Sequence, residues 1–519
     1  MGQHKHVRVA VIGSGFAGIG AAVRLRREGI TDFVVLERAD SVGGTWRDNE
    51  YPGCACDVPS HLYSFSFAPN PDWPRTFSGQ PYIRAYLEDV VDTFGIGSHL
   101  RLGREVLSAR WDTAELHWVV ETGGRGPGPT TYTADVVVSA GGPLSDPKTP
   151  DIPGLADFPG PVFHTARWDH DVDLRGKRVA VIGTGASAIQ VVPAIQPEVG
   201  HLTLFQRTPP WVMPRHDRDI TRFERAAHRA VPATGALRRR GLWTIRELQV
   251  QAFTRHPGEL GVVEAIARRH LAKAIGDPDL RARLTPSYRI GCKRILLSNT
   301  YYPALARPNV DVVTSGLAEV RGSELVGADG STAEVDAIVL GTGFHVTDMP
   351  IAERVTGAAG RTLAETWRGS GMRSLRGATV DGFPNWMTII GPNTGLGNSS
   401  MILMIEAQLD YLADYLRKLG SLDRGGKGRR AALDARPGAV RAWNDHVQDR
   451  MARTVWNTGG CTSWYMDSSG RNTTIWPGTT AEFRRATLRV DPAEYDIVRQ
   501  EPAAAPAPAH APAAKEAVR

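Results

Sequence analysis

The chain has 519 residues, of which 42% are hydrophobic and 22% charged, and a formal net charge of +6. This length allows two or three domains with sizeable cores, and the composition is ordinary for a globular protein. No long basic run indicates a nucleic-acid partner, and no run of roughly 18 apolar residues predicts a membrane span. We expect no secretion signal, because the apolar run at residues 9–12 is too short for one.

Cysteine usage indicates a reducing environment. The four cysteines, at positions 54, 56, 292 and 461, are too few for a disulfide scaffold. Their spacing fits neither a CxxC redox pair nor a zinc site, so we expect a cytoplasmic protein without a metal. A disulfide between Cys54 and Cys56 would be strained, so these two are expected to pack as small side chains.

The N-terminal segment predicts a dinucleotide phosphate site. Residues 7–12 form an apolar, β-rich run, as in a strand buried on both faces of a parallel sheet. Gly13, Gly15, Phe16 and Gly18 lie in the turn that follows, before a helical pattern. Gly13 suits the tight turn, Gly15 lets the backbone approach a pyrophosphate, and Gly18 permits close packing of helix on strand.

A second segment repeats this pattern. Residues 177–182 form another apolar strand, and Ala188 takes the place of the third glycine, which the dinucleotide fingerprint tolerates. The predicted contacts of this second turn with a dinucleotide are Gly183, Thr184, Gly185, Ala186 and Ser187.

The residue after the next strand distinguishes the two sites. Glu37 lies 24 residues past Gly13, and Arg207, followed by Thr208, lies 24 residues past Gly183. A carboxylate at that offset accepts hydrogen bonds from a ribose, whereas an arginine pairs with a 2′-phosphate. The first site therefore suits FAD, and the second suits NADPH rather than NADH.

Between the two sites lies a stretch rich in proline and glycine. It has the pattern Phe-x-Gly-x-x-x-His-x-x-x-Trp-Asp, carried by Phe158, Gly160, His164, Trp168 and Asp169. By itself this pattern predicts only a linker. With its flanks it resembles the fingerprint of Baeyer–Villiger monooxygenases, flavoenzymes that insert an oxygen atom next to a ketone carbonyl. The resemblance covers essentially the whole chain except its C-terminal tail.

The loop at residues 43–57 resembles a second motif of this family, Gly-Gly-x-Trp followed by Tyr-Pro-Gly-x-x-x-Asp. The resemblance implies contacts with FAD by Thr45, Trp46, Asp57, Tyr63 and Val106. The plain alternative is a surface loop with a turn-forming aspartate.

The Gly-x-Lys-Arg-Ile segment at residues 291–295 resembles the catalytic-arginine region of the family. By that resemblance Arg294 is the active-site arginine and Lys293 helps to hold the 2′-phosphate of NADP. Trp464 lies in a segment that resembles the loop folding over bound nicotinamide. The alternatives are two surface cations and an exposed loop with one buried tryptophan.

The family chemistry implies that NADPH reduces FAD and that oxygen adds to give a C4a-peroxyflavin. Its anion attacks a ketone to give an ester or lactone. A fixed cation must lie near this anion; Arg294 suits the role because it stays charged at working pH, and Asp57 would hold it. His164 is the alternative as general base. We expect it instead to couple domain motion or cofactor position, and we group it with Phe158, Gly160 and Trp168 as conformational residues.

Three other functions remain open at this point. An N- or S-oxygenating flavin monooxygenase has the same two nucleotide sites, but usually lacks the Trp-Asp ending and the Lys-Arg segment. A flavin disulfide reductase needs a redox cysteine pair at the flavin, for which Cys54 and Cys56 are poorly spaced. A cofactor-binding protein without turnover is the third.

The predicted fold class is α/β, with two Rossmann-like dinucleotide-binding domains and a helical insertion in the NADP domain. We expect the FAD domain at 1–145 and 336–500, the NADP domain at 146–335 with its insertion at about 215–285, and a disordered tail at 501–519. The strand at 336–344 is expected to return the chain to the FAD sheet. We expect a monomer or weak dimer that acts on a small-molecule ketone with O2.

Overall fold

The computed structural model describes residues 4–126, 128–425 and 430–500. The predicted tail at 501–519 lies outside these residues. Two main sheets, flanked by helices, make up the α/β fold that the alternation of apolar strands and helical segments predicts.

The strands, in chain order, are β1 (His4–Ile12), β2 (Phe33–Leu36), β3 (Leu100–Arg101), β4 (Glu105–Asp112), β5 (His117–Gly123), β6 (Thr131–Ser139), β7 (Val162–His164), β8 (Arg178–Ile182), β9 (His201–Phe205), β10 (Val212–Met213), β11 (Leu296–Leu297), β12 (Val310–Val313), β13 (Leu317–Arg321), β14 (Glu324–Gly327), β15 (Thr332–Glu334), β16 (Ala337–Leu340), β17 (Val355–Thr356), β18 (Trp386–Thr388), β19 (Ala431–Ala435) and β20 (Tyr495–Arg499).

The helices are α1 (Phe16–Arg27), α2 (Thr45–Asp48), α3 (Gln80–Thr93), α4 (Ala188–Ile195), α5 (Arg222–Ala230), α6 (Pro232–Thr254), α7 (Leu260–Ala274), α8 (Pro278–Arg283), α9 (Tyr301–Leu305), α10 (Leu363–Trp367), α11 (Met401–Gly425), α12 (Pro437–Met451), α13 (Val455–Thr458) and α14 (Thr480–Ala486).

The first main sheet has eight strands in the order β17-β4-β5-β6-β1-β2-β3, with β18 paired to β6. β1 lies between β2 and β6 and is parallel to both. Val9, Ala10 and Val11 of β1 are fully buried, which explains the continuous apolar run of this strand. The two helices α1 and α11 pack against each other beside the sheet.

The second main sheet has five parallel strands in the order β12-β9-β8-β16-β7. β16 pairs with β8 and β7, so the strand at 337–340 does not return the chain to the first sheet as we expected. The first sheet resumes only with β17 and β18. All four residues of β16 are buried, and such a run fits the centre of either sheet, so its pattern alone could not decide between them.

The helical insertion consists of α5, α6, α7 and α8. It lies between β10 and β11, which pair in parallel with each other. α6 reaches across to the first half of the chain: the Arg239 guanidinium donates to the Ser64 carbonyl oxygen at 2.7 Å. Trp243 Nε1 donates to Thr480 Oγ1 at 3.0 Å. The insertion therefore joins the second sheet to the N-terminal and C-terminal segments.

The stretch between the two glycine turns is more than a linker. Residues 162–164 form the edge strand β7, with His164 opposite Leu340 of β16. A Cβ at Gly160 would lie 2.3 Å from the Asp336 carbonyl oxygen, so only glycine allows this close approach.

No helix in the described parts of the chain combines the length and apolar character needed to cross a bilayer.

Candidate active site

The first glycine turn joins β1 to α1 and leaves backbone open to a ligand. Gly13 has a φ of 98°, a left-handed conformation that favours glycine. A Cβ at Gly18 would lie 1.9 Å from the Gly13 carbonyl oxygen, so the helix can approach the turn only without that atom. A Cβ at Gly15 would meet nothing nearer than 3.6 Å. The first turn of α1 supplies free N–H groups here, as a pyrophosphate requires.

Glu37 is buried beside this turn with 4% of its surface exposed. Its Oε2 accepts hydrogen bonds from the Ser14 backbone N at 2.9 Å and the Ser14 hydroxyl at 2.8 Å. Its Oε1 accepts from the Ala39 backbone N at 2.9 Å and lies 3.1 Å from Arg47 Nη1. These contacts fix the carboxylate next to the turn. The open glycine backbone and this oriented carboxylate fit the pyrophosphate and ribose of FAD.

The other predicted flavin contacts lie close to the same turn. Trp46 Nε1 donates to Tyr63 Oη at 3.0 Å, and the Phe16 ring centre lies 5.2 Å from that of Tyr63. Thr45 is the first residue of α2, next to Trp46. Val106 is buried on β4 in the core layer that also contains Ile12 at the end of β1. The structure thus gathers these residues around the end of β1.

The second glycine turn, between β8 and α4, has a similar geometry. Gly183 has a φ of 109°, and a Cβ there would lie 2.5 Å from the Gly341 carbonyl oxygen. Gly185 and Ala186 are exposed, and a Cβ at Gly185 would meet nothing within 4 Å. Thr184 Oγ1 donates to the Thr208 carbonyl oxygen at 2.9 Å, which ties the turn to the segment after β9; Ser187 immediately precedes α4.

Two cations lie together near this second turn. Burial lowers the pKa of the Lys293 ammonium, and the nearby positive charge of Arg207 lowers it further. Lys293 Nζ lies 5.2 Å from the centre of the Tyr288 ring, and Arg207 is exposed just after β9. Two like charges that repel each other in the free protein would be stabilised by a dianionic group between them. They fit the 2′-phosphate of NADPH.

A bidentate ion pair joins the first half of the chain to the segment after the insertion. Arg294 Nε donates to Asp57 Oδ2 at 2.6 Å, and Nη2 donates to Oδ1 at 2.7 Å. Arg294 Nη1 also donates to the Leu396 carbonyl oxygen at 3.3 Å. Three distant segments therefore fix the plane of the guanidinium. The side chains of Asp57 and Arg294 keep 24% and 25% of their surface exposed, so a ligand can reach one side of the pair.

The pair keeps both charges at neutral pH. Burial raises the pKa of Asp57, but the charge and hydrogen bonds of Arg294 outweigh it, and the pKa lies below its usual value. Burial lowers the pKa of Arg294, but Asp57 outweighs this effect, and the pKa lies above its usual value. The site thus presents an oriented cation that does not titrate in the working range.

Two further polar side chains lie near this pair, and the sequence analysis singled out neither. Tyr465 is 1% exposed, and its hydroxyl has no hydrogen-bond partner among the described residues. Burial raises the pKa of Tyr465 to about 12, while the charge of Arg294 opposes the rise. Its position next to Trp464 was the only sequence signal.

Arg246 on α6 is the second. Burial lowers its pKa, Asp57 raises it and Arg294 lowers it, so all three charges lie within electrostatic reach of one another. Asn398 Nδ2 donates to the Arg246 carbonyl oxygen at 3.1 Å. Arg246 lies in a helical segment with several other arginines, so the sequence gives no signal that distinguishes it from them.

The fingerprint residues lie away from the ion pair. His164 is 6% exposed, and its Nδ1 accepts a hydrogen bond from the Ala166 backbone N at 3.0 Å. Burial lowers the pKa of His164 to about 4, which keeps the ring neutral at pH 7. Trp168 packs on Phe163 with 5.0 Å between ring centres, and Phe158 is buried. Within the described residues, none of the fingerprint residues hydrogen-bonds to Asp57 or Arg294.

Trp464 is a surface side chain in this structure. It is 47% exposed, and its ring centre lies 4.4 Å from that of the buried Tyr465.

Cys54 and Cys56 carry free thiols, and Cys56 is buried, as expected for small packing residues. Cys292 and Cys461 form a disulfide, so the expectation that all four cysteines are reduced is wrong; the two lie 169 positions apart, and such a separation gives no sign of a pairing.

Comparisons with known proteins give the family. Residues 11–79 match the NAD(P)-binding Rossmann-like domain family. The chain is 75% identical to a Baeyer-Villiger monooxygenase of Streptomyces coelicolor, over 96% of this chain and 94% of that protein. It is 46% identical to a Baeyer-Villiger monooxygenase of Pseudomonas aeruginosa, over 95% and 92%. Its structure is similar to cyclohexanone monooxygenase from Rhodococcus sp. Phi1 bound to NADP+, with a TM-score of 0.81, 30% identity and coverage of 93% and 97%.

These similarities extend over both sheets and the helical insertion, and they favour oxygen insertion over N- or S-oxygenation. FAD and NADPH are the cofactors, in agreement with the prediction from the contrast between Glu37 and Arg207. The chain therefore belongs to the Baeyer–Villiger monooxygenases, flavoenzymes that use NADPH and O2 to insert an oxygen atom next to a ketone carbonyl.

Proposed function

We propose that Arg294, held in place by Asp57, is the cation that makes oxygen insertion possible in this enzyme. The observation that carries the proposal is the bidentate contact between the two side chains, with N–O distances of 2.6 and 2.7 Å. The pair lies where three separate segments of the chain meet, and one side of it stays accessible.

FAD, held at the first glycine turn and reduced by NADPH, would activate O2 for the insertion. That oxygen must carry negative charge to attack a ketone carbonyl, so the protein has to place a positive charge beside it before the reaction starts. Arg294 does this at every working pH because Asp57 keeps its pKa high. Asp57 also holds the guanidinium plane fixed, so no reorientation is needed during the reaction.

We infer the remaining roles from positions around the two turns and, for Trp464, from the resemblance of its segment to the family's nicotinamide loop. FAD is held by Gly13, Gly15, Phe16, Gly18, Glu37, Thr45, Trp46, Asp57, Tyr63 and Val106. NADP(H) is held by Gly183, Thr184, Gly185, Ala186, Ser187, Arg207, Thr208, Lys293 and Trp464. The first main sheet is the core of the FAD domain, and the second main sheet, which includes β16, is the core of the NADP domain.

The substrate of this proposal is a small-molecule ketone. Leu396 lies beside the Asp57–Arg294 pair and accepts a hydrogen bond from Arg294 through its carbonyl oxygen. Arg246 and Tyr465 add one charged and one hydroxyl group near the pair. The expected cytoplasmic setting and the expected monomer or weak dimer stay predictions.

Removing the Arg294 cation should abolish oxygen insertion without loss of FAD. We expect Arg294→Ala to retain the bound yellow flavin and to lower ester formation by about 10²- to 10³-fold, as when a preorganised charge-stabilising group is lost. Arg294→Lys keeps the charge but loses the bidentate contact, so its rate of ester formation should lie between those of the parent and Arg294→Ala. Flavin absorbance and mass spectrometry of the product measure these outcomes. Arg175→Ala, which removes an exposed arginine paired with Asp173, is the control; an Arg294→Ala protein that makes ester at the parent rate would contradict the assignment.

The 2′-phosphate site should set the choice between NADPH and NADH. We expect Arg207→Gln to raise the KM for NADPH about 10- to 100-fold, because one charge-assisted contact is lost. The KM for NADH, which has no 2′-phosphate, should change less than about twofold. Steady-state oxidation of both cofactors gives the comparison, with the exposed Arg321→Gln as control. Equal increases for both cofactors would show that Arg207 does not read the phosphate.

The neutral, buried state of His164 should appear as a pH dependence of stability. Its pKa is about 4 in the folded protein and about 6.5 when unfolded. Between pH 6.5 and pH 4, His164 is protonated in the unfolded chain but stays neutral in the folded protein. The free energy of unfolding is therefore highest above pH 6.5 and falls as the pH drops toward 4. We expect this loss, about 3 kcal/mol, to be absent from His164→Gln.

Urea unfolding of both proteins between pH 7 and pH 4 tests this difference. His61, whose pKa burial also lowers to about 4, is present in both proteins and cancels. Identical pH slopes would contradict the burial of a neutral His164. If His164 were instead the general base, its pKa would have to lie near neutral pH. The pH profile of kcat/KM would then show that titration, and His164→Gln would abolish it.

A further inference from the structure

A covalent bond connects two segments to which the proposed function assigns contacts with NADP(H). Cys292 and Cys461, 169 positions apart in the chain, form a disulfide with Cα atoms 6.1 Å apart. Cys292 precedes Arg294 by two residues, and Cys461 precedes Trp464 by three. The bond therefore ties the arginine segment directly to the loop that carries the proposed nicotinamide contact.

The surrounding packing brings the two segments close together. Cys292 is fully buried, and a Cβ at Gly459 would lie 2.6 Å from Cys292 Cβ, so only glycine lets the second segment come this near. The Arg289 backbone N donates to the Gly459 carbonyl oxygen at 2.9 Å. This hydrogen bond and the burial of Tyr465 are non-covalent contacts that also hold the loop. Trp464 itself is 47% exposed and adds little to them. The disulfide is thus the covalent part of the attachment of the Trp464 loop.

We propose that Cys292 and Cys461 are positioning residues, whose disulfide holds the Trp464 loop against the Arg294 segment and so sets how tightly NADP(H) is retained. The proposal rests on the proposed role of Trp464 at the nicotinamide. A loop that is fixed before the cofactor binds does not have to be ordered during binding, and this saves conformational entropy. A reduced pair leaves the loop with more conformations in the free enzyme, which weakens binding.

The pair can open and close with reagents of known chemistry. Hydrogen peroxide oxidises it: each thiol sulfur loses one electron and its proton, the S–S bond forms, the O–O bond breaks, and two water molecules leave. A dithiol such as dithiothreitol reverses this by thiol–disulfide exchange, becoming a cyclic disulfide as the two protein thiols are restored. Cys54 and Cys56 stay free thiols in this structure and serve as internal references.

The first experiment reads the bond and the loop without any turnover. Holoenzyme treated with peroxide or with dithiothreitol, then freed of reagent, is alkylated and digested, and peptides containing Cys292 and Cys461 are identified by mass spectrometry. We expect one linked peptide after peroxide and two alkylated peptides after dithiothreitol. Amide hydrogen exchange of residues 459–466 without NADP(H) should be about tenfold faster in the reduced protein. Alkylation of both thiols after peroxide, or equal exchange rates, would overturn the proposal.

The second experiment separates positioning from general stability. The Kd for NADP+ should rise about tenfold on reduction, with a matching rise in the KM for NADPH and little change in kcat. Cys461 is the half-buried cysteine of the pair and is therefore the one to replace. Cys461→Ser should have the Kd for NADP+ of the reduced enzyme, and neither reagent should change it. Cys54→Ser should keep the full response. A fall in kcat with unchanged Kd and KM would assign the disulfide a merely structural role and overturn the proposal.

Trp464→Ala distinguishes failure of this proposal from failure of the site on which it rests. In oxidised enzyme, it should raise the Kd for NADP+ while leaving the linked peptide intact. An unchanged Kd would remove the nicotinamide role of Trp464, and with it the proposed effect on NADP(H). Equal exchange of residues 459–466 in oxidised and reduced protein would instead show that the bond does not hold the loop, whatever Trp464 contacts.

Discussion

Asp57 and Arg294 are separated by 237 positions in the chain, yet their side chains meet with two short hydrogen bonds. Taking two charged groups partly out of water costs free energy, and only close, well-aligned contact recovers it. The pair therefore constrains how the N-terminal loop and the segment after the helical insertion lie relative to each other. Loss of one partner would leave the other charge partly buried and unpaired, which typically costs about 3–5 kcal/mol.

Other contacts hold the same junction with neutral groups. Gln190 on α4 donates from Nε2 to the Ala55 carbonyl oxygen at 2.9 Å, and its Oε1 accepts from the Tyr51 hydroxyl at 3.0 Å. Both partners lie in the loop that ends at Asp57. From the opposite side, α6 contributes Arg246 near the pair and Arg239 to the backbone of the N-terminal half. The site is thus assembled between domains, and its electrostatics depend on their relative position.

The parts predicted from the sequence are those determined by local backbone needs. Gly13 and Gly183 adopt positive φ at tight turns, and the buried strands before them read as continuous apolar runs. The contrast between Glu37 and Arg207 predicts a ribose hydroxyl at the first site and a 2′-phosphate at the second. The sheet that β16 joins could not be predicted in this way, because a fully buried strand carries no mark of which neighbours it pairs with.

Only part of the candidate site could be predicted, again because some of its residues depend on distant partners. The resemblance named Asp57 and Arg294, and the structure brings them together. Arg246, Tyr465 and the Cys292–Cys461 disulfide escaped prediction because each matters through partners more than a hundred positions away. His164 was assigned to a linker, but its strand pairs with β16, and this pairing also depends on a distant partner.

We propose that Asp57 and Arg294 act as one unit in oxygen insertion. A double-mutant cycle measures this directly, with kcat/KM for ester formation determined for the parent, Asp57→Asn, Arg294→Lys and the double variant. Groups in direct contact should show a coupling of at least about 1 kcal/mol, with the double variant little worse than the poorer single variant. Losses that simply add would mean that the two side chains contribute independently, and would contradict the account.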